Sequence, residues 1–198
     1  MPQVHLIDDD EAMRTSLSFL LDSAGFTNAV YDTAEAFLAA VGDDARGCVI
    51  TDVRMPGMGG MELVATLKSR GAQVPVVVIT GHGDVPLAVE AMKNGVVDFL
   101  EKPFADDVLL DAIRRALAGT GPAQEPPGDN TFSSVLETLS PRETEVLRGV
   151  VAGKANKVIA YELGISPRTV EVYRANVMAK TGAKGLPDLV RMAMSAGF

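Results

Sequence analysis

The sequence predicts an α/β domain built on a five-stranded parallel sheet with helices on both faces, followed by a small all-α domain of four helices. Three observations predict it. Short apolar runs alternate five times with helix-length amphipathic stretches in residues 1–118. The stretch AGTGPAQEPPGDNTFSS then brings three glycines, three prolines and little to bury, which marks residues 119–134 as a flexible linker. From residue 135 to 198 the signals are helical only.

Each element has its own reason. The strands are expected at 3–7 (QVHLI), 27–31 (TNAVY), 47–51 (GCVIT), 75–79 (PVVVI) and 96–100 (VVDFL). The runs CVI and VVVI are apolar without alternation, as strands buried on both faces are. Helices fall near 10–24, 33–43, 59–70, 84–94 and 105–118. Met13, Leu17, Leu20, Leu21 and Ala24 draw an apolar stripe at three- and four-residue spacing on the first. Asp84 before Val85-Pro86 reads as an N-cap with proline in the first turn. In the second domain, helices are expected near 141–152, 156–163, 167–181 and 186–196. Ser140-Pro141-Arg142-Glu143 is a capping box, Ser166-Pro167 repeats the start signal, and Gly153, Gly164 and Gly182 stand at the stops.

Charge separates the halves further. The net −8 hides 18 acidic and 9 basic side chains in residues 1–120, against 5 acidic and 9 basic in 141–198. The acidic whole argues against nucleic acid; the basic C-terminal part does not. No apolar run approaches the roughly 18 residues that span a bilayer. MPQVHLIDDDE lacks the basic region of a signal peptide, so a cytoplasmic protein with no membrane contact is expected. The lone Cys48 reads as a buried structural thiol. With two histidines and no cysteine partners, zinc is not expected, and His5 reads as a satisfied residue of the first strand.

Ligands of open α/β sheets bind at the carboxyl ends of the strands. Here those ends carry Asp8-Asp9-Asp10, Thr51-Asp52, Thr80 and Glu101-Lys102-Pro103. Each group alone has an ordinary reading as a helix start, a turn or a surface lysine. Together they put carboxylates, a hydroxyl and an ammonium on one rim. Carboxylates 4 Å apart repel by about 4 kcal/mol at a near-surface dielectric. A divalent cation relieves that, and an all-oxygen set suits Mg²⁺.

VHLIDDDEAMRTSL, VITDVRMPGMGGMEL, VVVITGHGDVPLAVEAMKNGVVDFLEKPF and LSPRETEVLRGVVAGKANKVIAYELGISPRTVEVYRANVMAK resemble response regulators of the FixJ/NarL class over nearly the whole chain outside the linker. The resemblance implies a CheY-like receiver with strand order 2-1-3-4-5 and a LuxR-type helix-turn-helix. It implies that Asp52 accepts a phosphoryl group from a histidine kinase. Asp9 then ligates Mg²⁺ directly, Asp8 supports it through water, and the Arg54 main-chain carbonyl completes the protein ligands. Thr80 and Lys102 hold the phosphoryl oxygens, the Lys102-Pro103 peptide is cis, and Phe99, where many relatives carry tyrosine, turns inward as Thr80 moves. Arg54 and His82 stand where phosphoryl lifetime is tuned. The receiver catalyses only its own phosphotransfer and slow dephosphorylation, so no turnover enzyme is implied. Phosphorylation is expected to drive homodimerisation through helix 84–94, with Pro86, Glu90, Ala91 and Lys93 on its outer face, and strand 96–100. RNA polymerase is a further expected partner.

On helix 167–181, Val170, Tyr173 and Val177 fall on the core side at 100° per residue. Arg168, Glu171, Val172, Ala175 and Ala179 fall opposite, with Thr169 and Asn176 beside them. That slim face suits the major groove: Val172 and Ala175 for thymine methyls, Arg168 for guanine or phosphate. Lys154, Lys157, Arg174, Lys180 and Lys184 ring it as phosphate contacts. Glu171 and Ala175 replace basic residues of some relatives, so no operator carries over. Two rivals rank below. A receiver that works unphosphorylated would lack part of the acidic rim. A dehalogenase-type aspartyl phosphatase needs a second Asp where Arg54 stands, and no GxxxxGK[ST] is present.

Overall fold

The computed structural model describes residues 3–41, 45–81, 85–119, 134–183 and 185–198. His82, Asp84, Lys184 and most of the linker lie outside the described residues. The elements run β1 (Val4–Ile7), α1 (Glu11–Ser23), β2 (Asn28–Tyr31), α2 (Ala34–Val41), β3 (Cys48–Asp52), α3 (Gly60–Ser69) and β4 (Val76–Thr80). They continue α4 (Val85–Lys93), β5 (Asp98–Glu101), α5 (Asp106–Leu117), α6 (Pro141–Val151), α7 (Asn156–Leu163), α8 (Pro167–Thr181) and α9 (Leu186–Ser195).

The five strands form one parallel sheet in the order β2-β1-β3-β4-β5, the doubly wound arrangement expected. The pleat sorts the strand residues by face. Val4, Leu6, Cys48, Ile50, Val77 and Ile79 pack with Leu17 and Leu21 of α1 and Leu109, Ala112, Ile113 and Ala116 of α5. Cys48 is buried there, and burial pushes its thiol up to about 12, so it is inert. On the opposite face, His5 stacks edge-on against Phe37 of α2 at 5.4 Å between centroids. Its Nδ1 meets the Tyr31 hydroxyl at 3.3 Å and its Nε2 the Arg46 carbonyl at 3.1 Å, so it is a satisfied core histidine. Burial lowers its pKa, and the carbonyl only partly offsets that.

Strand β5 begins two residues later than the apolar run suggests. Val96 and Val97 are buried on the way in, and the Val97 N–H donates to Val76 at 2.8 Å. Burial of those valines makes the run apolar.

The described residues divide into two compact units. The sheet, α1–α3 and α5 make the first; α6–α9 make the second, and α4 groups with them. Val89 and Met92 of α4 share an apolar cluster with Val146, Val150, Ile159, Val170 and Val190. Ala91 is fully buried, which corrects its placement on the outer face of α4; Glu90 and Lys93 are exposed as expected. The reason is that α4 is apolar on more than one side, and a helical wheel alone cannot say which side is covered. The starts and stops of α6–α8 follow their sequence signals. Ser140 and Glu143 close a capping box, Ser166 caps α8, and Gly164 and Gly182 end their helices at positive φ.

Candidate acidic site and helix-turn-helix interface

Register builds the acidic rim. Ile7 pairs with Thr51 across β1 and β3, so the next residues, Asp8 and Asp52, come off neighbouring strands at one level. Asp52 pairs with Ile79, which sets Thr80 one step beyond, and the Lys102 N–H donates to the Thr80 carbonyl at 2.7 Å. Asp8, Asp52 and Thr80 are all buried, at 2%, 8% and 1% exposure, although charged or polar. Such burial demands partners. The Lys102 ammonium supplies one to each carboxylate, 2.5 Å from Asp52 Oδ2 and 3.1 Å from Asp8 Oδ2. The Lys102-Pro103 peptide is cis.

The three consecutive acids divide into three environments. The Asp8 carboxylate turns inward and accepts the Asp10 N–H at 2.9 Å. Asp10 is the N-cap of α1, accepting from the Ala12 and Met13 N–H groups. Asp9 is exposed between them. Burial raises the Asp8 pKa, against the pull of the Asp10 N–H and of Lys102. For Lys102, burial works downward, but the hydrogen bonds and charges of Asp52 and Asp8 outweigh it and hold the pKa up. One ammonium among three carboxylates leaves the rim short of positive charge.

The residues fit a hard divalent cation of the Mg²⁺ kind. Among the described residues no group of three or more His, Cys, Asp or Glu side chains is placed to hold a metal ion. Mg²⁺ does not need one, since it keeps several waters and commonly takes one or two carboxylates. Asp8 and Asp52 converge, exposed Asp9 adjoins them, and the Arg54 main chain follows directly, its N–H bound to Asp52 Oδ1 at 2.8 Å. The donor set is oxygen throughout. The Arg54 side chain is exposed and Phe99 is buried on β5.

In the second unit, α8 shows the faces its sequence predicts. Val170 and Val177 are buried, and Arg168, Glu171, Val172, Ala175 and Asn176 are exposed, Val172 at 54%; Thr169 is half-buried. The ring of basic residues is less uniform than expected. Lys180 donates to the buried Glu143 at 2.6 Å and to the Thr138 carbonyl at 3.2 Å. Its hydrogen bond, with that of the Ser140 N–H, draws the Glu143 pKa down. Lys154 is bidentate on Glu162 at 2.7 Å, and Arg174 donates to Asn156 at 2.9 Å. Lys157 and Arg168 are exposed and make no ion pair among the described residues. Sequence reasoning missed the Lys180–Glu143 tie because its partners lie 37 residues apart.

These positions predict different outcomes for two lysines. Lys180→Ala leaves a buried carboxylate without its ammonium and should cost about 1 kcal/mol of stability, a value held down by the solvent around Lys180. Lys157→Ala should leave stability unchanged and reduce the salt slope of DNA binding by about one unit. Thermal melts and titrations at several salt concentrations check both; equal melting losses for the two variants would contradict this assignment.

Comparison with known proteins agrees with the geometry. Residues 4–114 match the response regulator receiver domain, and residues 137–193 match the bacterial regulatory proteins of the luxR family. The chain is 53% identical over 196 residues to the transcriptional regulatory protein FixJ of Bradyrhizobium diazoefficiens, covering 98% of this chain and 96% of that one. It is 55% identical to FixJ of Rhizobium meliloti, again over 98% and 96% of the two chains. The crystal structure of full-length FixJ from B. japonicum is 52% identical, covers 99% of this chain and 97% of that one, and gives a TM-score of 0.53. A receiver with a LuxR-type domain implies a histidine kinase as partner and DNA as target. The chain therefore belongs to the FixJ/NarL family of two-component response regulators and is a transcription factor.

Proposed function

We propose that this response regulator takes a phosphoryl group on Asp52 and thereby gains DNA affinity as a dimer. One observation carries the reading: Asp52 ends the central strand, buried, with its carboxylate held beside Asp8 by a shared Lys102 ammonium. In the transfer, an Asp52 oxygen bonds to phosphorus as the bond from phosphorus to the kinase imidazole nitrogen breaks. The nitrogen leaves with the electron pair. A carboxylate is already ionised at pH 7 and needs no general base. Lys102 neutralises charge on the equatorial oxygens, and the Thr80 hydroxyl donates to one of them. Mg²⁺, held by Asp9, Asp52 and the Arg54 carbonyl with Asp8 behind, supplies the remaining positive charge when bound. The acyl phosphate is lost by its own lability, so the modification is temporary, and this reading gives the chain no other substrate.

Dimerisation uses the exposed Glu90 and Lys93 of α4, which can pair across a two-fold axis. Two copies of α8 then reach half-sites about one DNA turn apart. Arg168, Thr169, Glu171, Val172, Ala175 and Asn176 read bases, and Lys157 holds phosphate. RNA polymerase contacts follow on the bound dimer, in the cytoplasm. Sedimentation with Mg²⁺ and beryllofluoride tests the dimer: the wild type should double in mass, and Lys93→Glu should stay mainly monomeric while still labelling at Asp52. A wild type that remains monomeric yet binds DNA more tightly would reject dimerisation.

A further inference from the structure

The segment that links Asp52 to α3 is fastened at both ends. At its root, the Val53 N–H donates to Ile79, the Arg54 N–H to Asp52 Oδ1, and the Gly60 N–H to Val53, at 3.0, 2.8 and 3.1 Å. Met55 is buried beneath it. At its tip, the Met58 N–H donates to Glu35 Oε1 at 2.9 Å. Glu35 lies in the first turn of α2, a different helix, 23 residues earlier in the chain. The approach is close: a Cβ at Gly57, whose φ is +76°, would stand 2.7 Å from the same oxygen. The positive φ favours glycine there, and a larger residue would push the carboxylate aside.

We propose that Glu35 is a positioning residue for the metal-binding arm of the acidic site. It touches neither the phosphoryl group nor the ion. Its carboxylate fixes the tip of the 54–59 segment, and the segment's path sets where the Arg54 carbonyl points. Without the tip contact, the Arg54–Met55 peptide samples more orientations, and ion binding has to select one of them. Preorganisation of this kind raises affinity by removing an ordering cost from the binding step. The hydrogen-bond acceptor matters here, not the negative charge, because Glu35 is solvent-exposed and its field is screened. The inference rests on the reading of Asp9, Asp52 and Arg54 as the Mg²⁺ site.

The test is calorimetric titration of the full chain with Mg²⁺ alone, with thermal melting as the control for folding. Glu35→Ala should weaken Mg²⁺ binding about fivefold with little change in melting temperature. Glu35→Gln, which keeps the acceptor oxygen, should stay within about twofold of wild type. Amide hydrogen exchange at Met58 should accelerate in the alanine variant and not in the glutamine one. Wild-type affinity in Glu35→Ala would overturn the inference, as would an equal loss in both variants, which would assign the effect to charge. A wild type that binds no Mg²⁺ would overturn the metal-site reading itself, and this inference with it.

Discussion

Asp52→Asn should abolish Mg²⁺-dependent labelling by small phosphodonors, with wild type reaching one phosphoryl group per chain and the variant none. The geometry makes the result a clean one. Asn at this position keeps an oxygen for the Arg54 N–H, now 2.8 Å from Asp52 Oδ1, so the local turn survives. Its amide nitrogen would face the Lys102 ammonium that now sits 2.5 Å from Asp52 Oδ2, and two donors cannot satisfy each other. Lys102 still has Asp8 at 3.1 Å. The fold should therefore persist while the nucleophile is gone. Asp8 is the more deeply buried of the two carboxylates, at 2% exposure against 8%, and so is the less accessible to a phosphodonor. Mass spectrometry of the intact chain reads the outcome, and an undiminished label on Asp52→Asn would remove Asp52 from the mechanism.

Gly60→Ala should be one of the most damaging small substitutions in the receiver. A Cβ there would fall 2.2 Å from the Asp52 carbonyl oxygen and 3.1 Å from Thr51 Cγ2. The first of these is backbone of the central strand and cannot swing aside. Either α3 backs away from the sheet or the end of β3 bends, and the second option moves the site itself. Overpacking of this kind costs about 3 kcal/mol. In a domain of this size that lowers the melting temperature by on the order of 10 °C. Gly71→Ala is the control: its φ is +74° but a Cβ there meets nothing within 4 Å. Backbone strain alone should cost it about 1 kcal/mol. Urea denaturation followed by circular dichroism separates the two, and equal midpoints would show that the α3 contact yields more easily than its geometry suggests.

The contrast between those glycines shows what the sequence could and could not reveal. MPGMGG announces a tight turn, yet not that Gly57 passes a carboxylate of α2 while Gly60 abuts β3. The strand ends were legible because CVI and VVVI fix which residues are last, and the parallel register then brings Asp8, Asp52 and Thr80 to one edge. The division of labour among Asp8, Asp9 and Asp10 was not legible from residue type. It depends on where α1 starts, and Asp10 is spent as that helix's cap. The slim face of α8 was visible in its periodicity. The commitment of Lys180 to Glu143 was not, because a helical wheel knows nothing of α6. Local rules located the elements; contacts between distant segments decided what individual polar side chains do.

The central claim is that phosphorylation of Asp52 governs DNA binding by this chain, and affinity measurement on the intact protein tests it most directly. Binding to a target promoter fragment is measured at fixed salt, with and without Mg²⁺ plus a small phosphodonor, for wild type and Asp52→Asn. Phosphodonor treatment should tighten wild-type binding ~10-fold or more and leave Asp52→Asn at the untreated level. Equal affinity of treated wild type, untreated wild type and Asp52→Asn would contradict the claim and describe a regulator that acts without its phosphoryl group.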